Sequence, residues 1–176
     1  MIDQSQYFAL SLDQRENCFF QHYPVASLLK DILLSMSGTK VIWMPVEPHL
    51  SELVKNGQNF SVDKLRIIKG EQGRCHRNSA KLFMAGKGQI TTGYALSDNI
   101  WRQHSWIMAP NHRIIETTMP FEKYYGVMLS EINITKFVFS ELGNQVMQLP
   151  KEQLLRLPMP DNLADLVKEK TESVVR

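Results

Sequence analysis

The chain has 176 residues, 43% of them apolar and 22% charged, with 20 Lys and Arg against 18 Asp and Glu for a formal charge of +2. That balance fits one compact domain with a packed core and excludes a disordered tail, a coiled coil or a collagen-like rod. The basic residues are scattered without aromatic interleaving, so nucleic-acid binding has no support, and the longest apolar run, around Val41-Ile42-Trp43-Met44, is far below the roughly 18 residues of a membrane span.

Met1-Ile2-Asp3-Gln4 lacks the basic segment and apolar block of a secretory signal, so a cytoplasmic location away from membranes is expected. Two cysteines, Cys18 and Cys75, are too few for a disulfide framework, and both are expected as free thiols.

In chain order, the spacing of apolar residues predicts a helix over 25–35, with Pro24 suited to its first turn and Gly38 stopping it. Lys40 to Val46 reads as a buried strand, Leu50 to Lys55 as a short helix ending near Gly57, and Phe60 to Ile68 as mixed. A polar approach, Glu71-Gln72-Gly73-Arg74, leads to a helix that begins at Cys75 and closes at Gly86 and Gly88, with Cys75, Ser79, Leu82 and Phe83 sharing a face. Three strands in a meander follow, Gln89 to Leu96, Ile100 to Ala109 and Arg113 to Thr118, with a fourth predicted over Ile132 to Ser140. Asp161 can cap a last helix through Leu163, Leu166 and Val167, and Lys168-Glu169-Lys170 reads as its solvated face. The layout is α+β: residues 1–148 form one domain with N-terminal helices and a central helix on an antiparallel sheet, and 149–176 form a helical extension.

Cys75, His104 and Glu116 carry the chemistry. A cysteine in the first turn of a helix feels the positive end of the dipole and unpaired backbone N–H groups, which favour thiolate and can hold an oxyanion. Arg74, His76 and Arg77 add positive potential. A turn centred on Pro110 sets His104 directly opposite Glu116, where cross-strand partners share a face and a carboxylate can orient an imidazole. The other ring nitrogen then serves the thiol as base and later as acid.

These residues resemble a family. Gly-Arg-Cys-His-Arg-Asn-Ser-Ala at 73–80, Gly93-Tyr94-Ala95-Leu96, His104-Ser105-Trp106 and Ile115-Glu116-Thr117-Thr118 look like the successive motifs of the transglutaminase-like branch of the papain-like cysteine enzymes. The resemblance covers about residues 70–120. It implies a papain-like core, Cys75 as nucleophile, His104 as base and acid, and Glu116 as orienting acid. The usual acid there is Asp; Glu116 is one methylene longer, so its backbone must sit slightly further from the ring. Gln72 would imitate the upstream side chain that helps hold the oxyanion, although it lies only three residues before Cys75.

The implied activity is thiol-dependent hydrolysis or transfer of an acyl group from an amide, in a peptide, a protein or a small molecule, with no cofactor. Its rivals are an amine-accepting acyltransferase and a non-catalytic peptide- or protein-binding module of the same fold. Cys18 reads as a small buried hydrophobe. His76 is expected to point away from Cys75 into solvent, and Asn78 to lie on the surface. Zinc is disfavoured, since Cys75, His76, His104 and His112 include neither a Cys-x-x-Cys pair nor a His-x-x-x-His spacing. Trp101 and Trp106 face opposite sides of their strand, one joining the core and the other shielding the imidazole, and Trp106 is also a candidate substrate contact. Tyr124-Tyr125-Gly126 is read either as a lining for a substrate groove, with Tyr125 in contact, or as a packed aromatic turn.

Overall fold

Local signals place the helices. The computed structural model describes residues 4–158. Helix α1 (Gln4–Ala9) leads to α2 (Leu12–His22), whose start is fixed by a reciprocal cap: Ser11 Oγ accepts from the Gln14 N–H, and Gln14 Oε1 accepts from the Ser11 N–H. Helix α3 (Ala26–Met36) forms where apolar spacing predicts it and buries Ala26, Leu29 and Leu33 on one stripe.

The remaining elements are β1 (Lys40–Ile42), α4 (Leu50–Asn56), β2 (Gln58–Phe60), β3 (Leu65–Ile67), α5 (Cys75–Met84), β4 (Gln89–Ser97), β5 (Ile100–Met108), β6 (Ile114–Glu116), β7 (Lys123–Met128), α6 (Glu131–Leu142) and α7 (Lys151–Leu154), with a 3-10 stretch over Gly143–Gln148. No described helix is long and apolar enough to cross a membrane. The helix expected from Asp161 and the charges at Lys168-Glu169-Lys170 lie outside the described residues.

Two segments take a different form from the one expected. Residues 132–140 are helical rather than extended: Ile134, Val138 and Leu142 recur every four residues and are all buried, and this packing outweighs the β-branched composition of the segment. Lys123–Met128, read around Tyr124-Tyr125-Gly126 as a groove lining or a turn, is an interior strand of the sheet, between β2 and β4. Its glycine permits close approach, because a Cβ on Gly126 would stand 2.4 Å from the Thr92 carbonyl oxygen and 2.7 Å from Trp106.

Among the described residues, seven strands make one sheet, in the order β2-β7-β4-β5-β6-β3 with β1 paired to β5. The meander β4-β5-β6 is present, but the sheet is mixed rather than antiparallel, since β1 runs parallel to β5 and β3 parallel to β6. The α+β class stands.

On one face, Tyr94, Leu96, Trp101 and Tyr125 pack against α2, α3 and α4 through Phe19, Leu29, Leu33 and Leu53. Beside them, Ile90, Ile107 and Ile115 pack against α5 and α6, in a cluster that Leu149, Leu154 and Leu157 also join. The opposite face carries a smaller cluster of Ala95, Trp106, Met108, Ile114 and Tyr124.

One opening in the sheet matters for the site. Strand β4 takes one edge of β5 along its whole length, while β1 and β6 share the other edge, β1 at residues 100–102 and β6 at 107 and 108. Between them, residues 103–106 have no paired strand on that side.

Candidate active site

The first residue of α5 brings its thiol to that opening. Cys75 is half-buried and free, and no side chain caps the helix before it. The backbone N–H groups of Cys75, His76 and Arg77 have no acceptor among the described residues, as expected of a first helical turn.

The approach to Cys75 is strapped in place. The Ile68 and Gly70 N–H groups donate to the carbonyls of Glu116 and Thr117, each at 2.8 Å, tying this loop to the strand that carries the acid. Asn78 completes the strap. Its Oδ1 accepts from the Glu71 N–H at 3.1 Å and its Nδ2 donates to the Glu71 carbonyl at 2.8 Å. Asn78 is therefore buried, not a surface residue, and Gly70 is needed beside it, since a Cβ there would lie 2.4 Å from the Asn78 carboxamide carbon.

His104 lies on the face of Trp106 and Tyr124, and is 4% exposed. Its Nε2 meets Glu116 Oε2 at 2.9 Å, which leaves Nδ1 for the thiol. The expected register is corrected by two residues. Ile107 pairs with Ile115 and Met108 with Ile114, so the turn centres on Asn111 rather than Pro110, and continuing the ladder places Glu116 against Trp106. The loop closes through the Ala109 N–H on the Arg113 carbonyl, with His112 at a φ of 57°. A shift of two residues keeps the face, and the side chain of Glu116 reaches diagonally to the ring.

Glu116 is wholly buried and held at both oxygens. Oε1 accepts from the Thr117 and Thr118 N–H groups at 2.7 and 2.8 Å and from Thr118 Oγ1 at 2.9 Å; Oε2 accepts from His104 and from the Tyr124 hydroxyl at 3.0 Å. Burial alone would raise its pKa, but hydrogen bonding and the charge of His104, with the Thr118 donors, hold it below the usual carboxylate value. Tyr124 is the partner that sequence reasoning missed, because its segment was not recognised as a strand.

Charge is similarly settled on the sulfur. Burial would raise the Cys75 thiol, yet hydrogen bonds from His104 and His76 and the charge of both rings bring it from 9.0 down to about 5. Burial lowers His104, but hydrogen bonding to Cys75 and to Glu116 outweighs it and lifts the ring from 6.5 to about 9. Between those values the stable pair is thiolate and imidazolium.

His76 is not a solvated side chain. Its Nδ1 lies 2.7 Å from Ser105 Oγ, and Ser105 Oγ donates to Thr92 Oγ1 at 2.9 Å, so Ser105 accepts from the ring. Burial pulls His76 down, and contact with the Cys75 thiolate raises it above its ordinary value. Ser105 and His104 project to opposite faces of β5, so Cys75 and His76 straddle that strand at its opening. The alternation of His104 and Ser105 carried this signal in the sequence.

The auxiliary positions fare differently. Gln72 is exposed in the turn before α5 and has no hydrogen bond to the site, so the oxyanion role implied for it has no geometric support. Trp106 is fully buried, with its ring 6.3 Å from that of His104 at 17° between planes; it shields the imidazole and cannot touch a substrate. Trp101 packs in the core on the other face. Tyr125 is buried there too and donates to the Leu53 carbonyl at 3.1 Å, which removes it from any groove. Cys18 is half-buried on α2 and lines a small cleft with Tyr7 and Phe19. Among the described residues, no group of three or more His, Cys, Asp and Glu is arranged to hold a metal ion.

In comparisons with protein-family models, with curated proteins and with solved structures, none matches this chain.

Proposed function

We propose that the chain is a cysteine hydrolase or acyltransferase, acting through Cys75, His104 and Glu116 on an amide of a peptide, a protein or a small molecule. The observation that carries this reading is the line from a wholly buried, fully hydrogen-bonded Glu116, through the Nε2 of His104, to a half-buried thiol at a helix start. The arrangement of a nucleophile helix against strands bearing the histidine and the acid supports placing it in the transglutaminase-like, papain-like group.

The Cys75 thiolate attacks the carbonyl carbon, forming an S–C bond and moving the carbonyl π pair onto oxygen. The free N–H groups of the first turn of α5 are the donors available to that oxyanion. The imidazolium of His104 passes its proton to the leaving nitrogen as the C–N bond breaks, and neutral His104 then takes a proton from water or an amine attacking the thioester. Collapse releases the thiolate and an acid, or a new amide. Glu116 holds the ring and its charge throughout.

The test is a library of peptide and small-molecule amides, with intact-mass detection of the acyl adduct. An adduct mapped to Cys75, with turnover abolished in a folded C75A variant, is expected. Turnover persisting in C75A, or no adduct and no turnover with any amide or activated ester, contradicts the reading.

A further inference from the structure

Beside the nucleophile, on the face of β5 opposite to His104, lies a cavity of about 530 Å³. Its wall includes Val46, Glu47, His76, Gln103, Phe137 and Ser140. The size suits a side chain or a small ligand. His76 connects it to the site, since this ring lies against Cys75 and forms part of the cavity wall.

Glu47 sets the chemistry. It is 4% exposed, accepts from Gln103 Nε2 at 2.6 Å and from the His49 N–H at 3.3 Å, and has no ion pair with any described Lys or Arg. His76 and Lys136 also line the cavity, but neither comes within ion-pair distance of Glu47, so this buried carboxyl is an incomplete pair, because burying such a charge is costly unless it is matched. Burial accordingly pushes its pKa up, against the hydrogen bonds from Gln103 and His49. Lys136, on the helix α6 wall, is exposed to solvent, where its charge is screened. Val46 and Phe137 supply apolar surface for a methylene chain.

We infer that this cavity is the specificity pocket of the proposed enzyme and takes a basic side chain of the acyl donor, an alkylammonium or guanidinium whose charge is met by Glu47. The inference rests on the reading of Cys75 as nucleophile. An ammonium paired with a carboxylate has no free electron pair, so the bound group is a recognition element of the donor rather than the attacking amine.

Three peptidyl vinyl sulfones that differ only in one side chain, lysine, norleucine or glutamate, test the inference by their second-order rates of labelling Cys75. The lysine probe is expected to react at least about tenfold faster than the norleucine probe, the value of one well-formed charged contact, with the glutamate probe slowest. In E47Q the lysine-to-norleucine ratio should fall to near one. S140W, which fills the cavity from an exposed position on α6, should lower the same ratio and keeps the test available if E47Q does not fold. Equal rates for the three probes, or a lysine preference that survives in folded E47Q and S140W, overturn the pocket while leaving the nucleophile in place. Failure of all three probes to label Cys75 overturns both.

Discussion

His104 and Glu116 meet across a diagonal. The register of β5 and β6, extended past its last pair, sets Glu116 level with Trp106, two residues further along β5 than the ring it orients, and its side chain spans the offset to bring Oε2 within 2.9 Å of Nε2. Shortening it should break that contact. E116D withdraws the carboxylate by about 1.5 Å, beyond hydrogen-bond range, and should lower kcat about 100-fold, the scale of a misplacement near 1 Å. E116Q keeps the reach and loses the charge, so its loss should come with a downward shift of the basic limb of the pH profile. An active E116D with an unchanged pH profile contradicts the diagonal.

The pH dependence follows from the pair. Falling pH protonates the Cys75 thiolate through about 5, and rising pH removes the His104 proton through about 9. Activity on an amide should therefore be bell-shaped, with limbs near those values and a broad plateau between, because attack needs the anion and departure of the amine needs the imidazolium. Steady-state rates from pH 4 to 10 check this. A single rise through pH 8 to 9 contradicts it.

Asn78 ties the loop before Cys75 to α5, and N78A leaves the Glu71 N–H and carbonyl without these partners. It should cost about 1–3 kcal/mol in urea unfolding, the net worth of two hydrogen bonds. It should also slow alkylation of Cys75, since the loop no longer holds the helix start against the acid strand. Unchanged stability and reactivity contradict the strap.

Gly126 should tolerate no side chain. G126A forces a methyl against the Thr92 carbonyl and the Trp106 ring, and overpacking of this kind costs about 1–3 kcal/mol. The displaced indole should also alter the shielding of His104, seen as a shift of its ring proton resonances. A fully stable G126A with unshifted resonances contradicts the close approach.

Cys75 at a helix start, and His104 and Glu116 on adjacent strands with a shared face, were legible in the sequence, because helical spacing and strand alternation are local patterns. The two-residue register was not. It depends on which residues close the turn, and the left-handed conformation of His112 moved the centre from Pro110 to Asn111. Residues 132–140 carry β-branched side chains suited to a strand, and only burial of Ile134, Val138 and Leu142 against α5 decides for a helix. The second imidazole, His76, was expected in solvent because spacing along one helix sends adjacent residues apart, whereas β5 lies between them and meets both.

The rate of Cys75 alkylation by iodoacetamide as a function of pH, followed by peptide mass spectrometry with C75A as the blank, bears most directly on the ion pair at the centre of this account. The rate should be nearly flat from pH 6 to 8 and fall below pH 5. A rate that is negligible at pH 6 and climbs about tenfold per unit toward pH 9, the behaviour of an ordinary thiol, would contradict it.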